Sequence, residues 1–272
     1  MTDAYVPLSY WDLLFSAVLI LINGALSLGF RLGLERSLFL AALRMTVQLM
    51  AIGFVLKFIF SQTSALWTVG LALIMILVAG REVFARQTTP FKGLWSYGLG
   101  TMTLLFVGTV ATLFGVGVLI GPEPWYAPRF ILPVLGMVLG NTLTGIGLGL
   151  ETLTTTARRE RAAIEARIAL GAPRAEALSD VLRQALKTGL MPIINSMSAS
   201  GLVSLPGMMT GQILSGVDPV EATKYQLLIM FLIGGATALG VLVAVLGGAW
   251  RLTDERHRLR LDRLRIEEDG NG

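Results

Sequence analysis

The chain has 272 residues, 54% of them hydrophobic and 15% charged, against about 25% charged in a soluble domain. Its mean hydropathy is +0.69. That balance excludes an ordinary soluble domain, and the apolar residues fall in runs near the ~20 that cross a bilayer as a helix. The absence of cysteine excludes disulfides, zinc thiolate sites and thiol catalysis. The net charge of +4 and pI near 9.7 read as membrane orientation rather than nucleic-acid binding, because cytoplasmic loops collect Lys and Arg.

In chain order, Asp3 and Asp12 precede the first apolar run and no basic leader region is present, so no cleaved signal peptide is expected. Seven spans are predicted, roughly 9–28, 38–58, 65–80, 98–120, 130–150, 190–213 and 225–250. The fold class is therefore an all-α, polytopic transmembrane bundle, forming a single transmembrane domain over 1–272. With the C-terminus cytoplasmic and the N-terminus outside, 18 of the 22 basic residues fall on the cytoplasmic side. Only Lys57, Arg129 and Lys224 fall outside, and Arg44 lies within a span. Residues 121–129, GPEPWYAPR, carry Trp125 and Tyr126 for a membrane interface. The glycine clusters at 115–121 and 145–149 sit inside apolar spans, where helix packing is the expected use.

The longest polar segment, 157–189, reads as helix, glycine turn, helix. Gly171 and Pro173 interrupt it, and Ala175, Leu178, Val181, Leu182, Ala185 and Leu186 then form one apolar face. Two readings follow: a helix lying on anionic lipid, or a coupling element for a cytoplasmic motor. The spacing Glu165-Ala166-x4-Gly171 matches the E-A-x4-G pattern of the ABC-importer loop that contacts the ATPase, without the proline that follows closely there. No G-x4-G-K-[ST] occurs, so the chain has no P-loop and any ATP chemistry belongs to a partner. Residues 251–272 form a charged cytoplasmic tail holding the single histidine, His257, which is not expected to ligate.

The sixth run, 191–212 (MPIINSMSASGLVSLPGMMTGQ), is too polar for plain lipid contact. Read as one helix bent at Pro206, it places Asn195, Ser198, Leu202, Leu205, Met209 and Gln212 on one stripe. Gly207 and Gly211 form a GxxxG pair expected to pack at a helix or subunit interface.

NSMSASGLVSLPGMMTGQILSG at 195–216 and DPVEATKYQLLIMFLI at 218–233 carry a family resemblance. They are supported by ARRERAAIEARIALGA at 157–172, MVLGNTLTGIGLGL at 137–150 and LRMTVQLMAIGFVL at 43–56. The chain resembles the Fet-type iron-export ABC permeases, a family that includes plant aluminium-tolerance permeases. It departs at Asn141-Thr142-Leu143-Thr144, where the family often has Asn-Ser-Met-Asn. The resemblance implies a bacterial inner-membrane permease subunit, itself no enzyme, paired with a separate ATP-binding subunit that holds ATP and magnesium. A homodimer of the permease is expected.

Candidate pathway residues are Asn195, Ser198, Met209, Gln212, Asn141, Arg44 and Gln48. Arg44 either lines the path or snorkels to the headgroups. Coupling to the ATPase is assigned to Arg161, Glu165, Ala166 and Gly171. Helix packing is assigned to Gly207, Gly211 and Pro206. The methionines at 191, 197, 208 and 209 suit soft metal ions or adaptable packing, and no carboxylate or histidine set in the spans suits a tight iron site. Asp218 and Glu221 either draw cations at the outer mouth or form a solvated loop. The expected cargo is iron or another metal. A nucleotide sugar or other small anion is the alternative, as is an ion-gradient transporter that uses no ATP.

Overall fold

The computed structural model describes residues 9–61, 64–256 and 258–265. Asp3, His257 and the tail end 266–272 lie outside the described residues. Among the described residues there are no strands, only isolated bridges between helical segments. Six helices are long and apolar enough to cross a membrane: α1 Tyr10–Gly29, α2 Glu35–Ser61, α3 Ala65–Ala85, α4 Trp95–Thr112 with its continuation to Ile120, α5 Pro128–Arg159, and α10 Pro219–Arg251. The architecture is the all-α polytopic bundle that the apolar runs imply.

Two compact units are present among the described residues. One comprises the residues up to 61 with 211–218. Here α1 begins with a capping box in which Ser9 and Asp12 satisfy each other's backbone N–H groups. The α1–α2 turn is fixed by Ser27, whose Oγ donates to Glu35 Oε2 at 2.8 Å and accepts from the Leu34 N–H at 3.0 Å. Nearly every residue of α1 and α2 is exposed.

The other unit comprises residues 64–210 with those from 219 on. Its centre is α5, which packs against α3, α4, α8 (Ser179–Ala199) and α10. Ile146, Leu150 and Leu153 on α5 are fully buried. Close approach is made by glycine. A Cβ on Gly189 of α8 would lie 2.8 Å from the Gly145 carbonyl oxygen and 2.7 Å from a methyl of Val241. A Cβ on Gly149 would lie 2.9 Å from Val245. The 145–149 cluster thus serves helix packing.

One end of this unit gathers its basic loops. Between α3 and α4, Thr88 donates its N–H to Glu151 of α5 at 2.8 Å, and Thr89 bonds Thr154 at 2.9 Å. Phe91, 1% exposed, bridges to Leu264 of the tail, and the Lys92 N–H donates to the Arg263 carbonyl at 2.8 Å. The described tail, 252–265, is therefore packed rather than free: Leu252 and Leu264 are buried. Its leucines supply an apolar side that the charges conceal in the sequence.

The sixth predicted span is corrected. Residues 190–213 do not form one helix bent at Pro206. Helix α8 stops at Ala199, residues 200–206 are non-helical, and α9 (Gly207–Leu214) restarts the helix. The cause is local. Ser198 and Ser200 turn their hydroxyls onto the carbonyls four residues back, at 2.9 and 2.7 Å, a bond that competes with and bends helices. Gly201, at φ +97°, then takes the left-handed position after the cap. The turn closes on itself through Ser204 N–H to Ala199 O at 3.1 Å and Gly201 N–H to Ser204 O at 2.9 Å. Pro206 sits just before α9, where a missing N–H costs nothing, and its carbonyl accepts from Thr210.

The glycine contact is testable. Gly189→Ala forces a methyl against backbone and is expected to lower stability by about 1–3 kcal/mol. Gly140→Ala on α5, with nothing within 4 Å of the added methyl, should not lower it. Thermal unfolding of both variants in detergent decides; equal midpoints would contradict the close packing.

Candidate substrate site at the broken helix

The interruption at 200–206 borders a cavity of about 380 Å³. Met197 at the end of α8, Ser200, Gly201, Leu205 and Pro206 from the break, and Met209 of α9 form one wall. Thr223, Gln226, Leu227, Met230 and Phe231 of α10 form the other. Thr223, Gln226, Met230 and Gly234 recur at helical steps, so they share one face of α10. Gln226 is 8% exposed, and its Oε1 is buried with no hydrogen-bond partner among the described residues. An unsatisfied buried acceptor costs roughly 1–3 kcal/mol, which a cation or a donor entering the cavity would recover.

The thioethers stand at successive levels rather than around one point. Thr223 Oγ1 is 4.0 Å from Met209 Sδ. A Cβ at Gly234 would lie 3.2 Å from Met197 Sδ, so the glycine there makes room for the sulfur. Thr223 and Gly234 are separated by about 16 Å along α10 at ~1.5 Å per residue. Sulfur, amide and hydroxyl groups thus follow one another along the cavity, as weak ligands would along a path. No charged side chain lines it, and among the described residues no three His, Cys, Asp or Glu side chains cluster to hold a metal ion.

The predicted pathway residues separate. Met209 lines the cavity. Asn195 and Ser198 are exposed on α8 outside the lining, with Ser198 bonded to the Ile194 carbonyl at 2.9 Å. Asn141 is exposed on α5 and donates to the Met137 carbonyl at 2.9 Å. Arg44 and Gln48 are exposed on α2. Gln212, on α9, keeps a buried side-chain oxygen without a hydrogen-bond partner among the described residues. The single stripe from Asn195 to Gln212 does not exist, because the break resets the helical phase. A Cβ at Gly207 or Gly211 would meet nothing within 4 Å among the described residues, and close helix approaches are made instead at Gly145, Gly149 and Gly189. Gln226, Thr223 and Met230 were not anticipated, although Gln226 is the lone amide in an apolar run and could have drawn notice.

The segment predicted to couple forms an elbow. Residues 157–159 complete α5, Glu160 breaks the helix, and α6 (Arg161–Ala169) and α7 (Arg174–Ala177) precede α8. Gly171, at φ +95°, closes α6: its N–H donates to the Ile168 carbonyl at 2.9 Å, and that of Ala172 to the Arg167 carbonyl at 3.0 Å. This pair of bonds is the Schellman arrangement, which favours glycine at that position. Arg161 pairs with Glu165 at 2.8 Å, and Ala166 is exposed. Leu170 at the tip is 89% exposed, whereas Ile164 is buried in the core. Leu178, Val181 and Ala185 of the predicted apolar face are buried. Arg167 ties the elbow to α8 through Asp180 at 2.8 Å.

These features define a multi-pass α-helical membrane protein with a broken helix beside an uncharged cavity. The chain belongs to the family described as Uncharacterised protein family (UPF0014), which it matches over residues 10–252. It is 35% identical to a UPF0014 membrane protein of Synechocystis over 84% of this chain and 86% of that one. It is 34% identical to Protein ALUMINUM SENSITIVE 3 of Arabidopsis thaliana, covering 82% and 80%. It is 30% identical to the Escherichia coli protein named probable iron export permease protein FetB, covering 86% and 88%. No solved structure matches. The resemblance drawn from 195–233 is thereby confirmed at the level of the family.

The elbow carries a pH prediction. The hydrogen bond from Arg167, then its charge and that of Arg183, hold the Asp180 carboxyl below its usual 3.8. A lowered carboxylate stabilises the fold in full above 3.8 and loses its contribution as pH falls through the folded value. Hydrogen exchange across 161–172 should therefore quicken as pH falls below about 3.8. Asp180→Asn should quicken it modestly at neutral pH, on the scale of an exposed ion pair, and no change in that variant would contradict the tie.

Proposed function

We propose that this chain is the membrane subunit of an ABC exporter that moves iron or another metal ion, driven by a separate cytoplasmic ATP-binding subunit. The observation that carries the reading is the helix break at 200–206 beside the buried, unpartnered amide of Gln226. Interrupted membrane helices are tolerated where they line a cavity, and such breaks mark transport sites. The permease name of the Escherichia coli relative supports transport, and its iron supports the cargo. The uncharged lining gives no cationic group for an anion such as a nucleotide sugar. Amide oxygen, hydroxyl and thioether contacts are weak enough to release a partly hydrated cation.

The basic loops gathered at one end of the α5 unit form the cytoplasmic side by the positive-inside rule. The elbow of α6 and α7 presents Leu170 there as the knob that enters the ATPase, with Glu165, Ala166 and Gly171 shaping it. Closure of two ATPases on a permease homodimer pushes the elbow. Helix α8, which starts eight residues after Gly171, carries the movement to the break. The open Gly207–Gly211 ridge is assigned to the contact with the second copy.

Two variants separate the parts. Leu170→Glu should abolish co-purification of the ATPase while membrane insertion persists; retained binding overturns the coupling assignment. Gln226→Leu should keep the ATPase bound but reduce ferrous-ion uptake into inverted vesicles by roughly 10-fold, the scale of one buried hydrogen bond to a charged group. Unchanged uptake, or uptake of a nucleotide sugar instead of metal, overturns the site or the cargo.

A further inference from the structure

A second cavity, of about 680 Å³, lies at the basic end of α10 and is assigned nothing by the transport reading. Five arginines line it: Arg174 from α7, Arg251 at the end of α10, and Arg256, Arg258 and Arg263 from the segment that follows. Asp254 and Glu255 are its acidic residues, so the lining carries a net excess of three positive charges. The segment is held in place. Asp254 accepts from the backbone N–H groups of Arg256 and Arg258 at 3.0 and 2.9 Å and pairs with the Arg258 guanidinium at 2.8 Å. Arg263 donates to the carbonyls of Arg251 and Thr253 at 2.7 and 3.2 Å, and no carboxylate pairs with it among the described residues. The Arg251 guanidinium lies 5.5 Å from the Trp95 ring centroid, and its Nε is buried without a hydrogen-bond partner among the described residues. Arg256 makes no side-chain hydrogen bond or ion pair among the described residues.

Three arginines of this lining, Arg251, Arg256 and Arg263, have no carboxylate partner among the described residues, and guanidinium groups on a fixed frame fit a phosphate group, whose oxygens accept paired guanidinium bonds. The surroundings distinguish the source of that phosphate. Trp250, 61% exposed, stands at the lip, and exposed tryptophan belongs at the membrane–water boundary. Below it on α10, Leu246, Val243 and Leu242 are exposed along the apolar helix. The charged cavity is thus continuous with a surface that acyl chains cover.

We propose that this cavity holds the headgroup phosphate of an anionic phospholipid whose acyl chains lie along α10. Such a lipid staples the α10 end, the tail and α7 together at the base of the coupling elbow. The site is separate from the substrate cavity and stands or falls without it.

The test uses the full chain in detergent with phosphatidylglycerol or phosphatidylcholine added, read by native mass spectrometry and by thermal unfolding. The wild type should retain phosphatidylglycerol preferentially and gain stability from it. Arg256→Glu, at a side chain that bonds nothing among the described residues, should cut that retention by about five-fold or more, the scale of one basic residue at an anionic lipid surface. Arg161→Glu, on the elbow, should not. Equal retention of the two lipids by the wild type overturns the proposal, as does an equal loss in both variants, which signals general charge attraction. Protection by millimolar inorganic phosphate equal to that by the lipid also overturns it, since the ligand is then a soluble phosphate.

Discussion

The backbone contact between α5 and α8 governs the arrangement. At Gly145 and Gly189 the two helices approach so closely that neither position has room for a side chain. Hydrocarbon supplies no hydrophobic drive between helices, so small residues and close packing must hold them. This contact fixes α8 against the centre of its unit, and α10 closes over both through Val241 and Val245. The cavity beside the break, the elbow before α8 and the basic end of α10 all take their positions from it.

The second constraint is that a backbone within a bilayer must satisfy its own polar groups. The break at 200–206 meets it partly by its internal turn, using the carbonyls of Ala199 and Ser204. The side chain of Gln226, a residue that lines the cavity, does not meet it: its buried oxygen has no hydrogen-bond partner among the described residues. An open acceptor beside an interrupted helix costs stability, and under the proposed function it is where a passing ion would bind. The elbow is the opposite case: its turn is closed by two backbone bonds, and its exposed feature is the apolar tip at Leu170.

Much of this was legible in the residues. Long apolar runs marked the six long helices, and the apolar face through Leu178, Val181 and Ala185 marked the start of α8. Gly171 marked the end of α6, because only a left-handed position explains a glycine directly after such helix formers. The break was not legible from periodicity, since serine and methionine fit a helix and the stripe could be drawn straight through Gly201. Its signals were the serine pair and the glycine ahead of Pro206, which compete with the helix only when read together. Gln226 was hidden by its apolar neighbours, and the tail's packing by the arginines between its leucines. Which elements meet across a cavity is a tertiary fact that spacing along one helix does not contain.

The central claim is that residues 200–206 form a non-helical, water-accessible wall of the transport path. The chain has no cysteine, so single cysteines placed from 196 to 210 can be probed with a membrane-impermeant thiol reagent in permeabilised membranes. The account predicts continuous labelling through 200 and 202–206, with helical periodicity only on either side, and protection of Leu205→Cys by the transported ion. A three-to-four-residue period running unbroken through 200–206, or no labelling there, would contradict it.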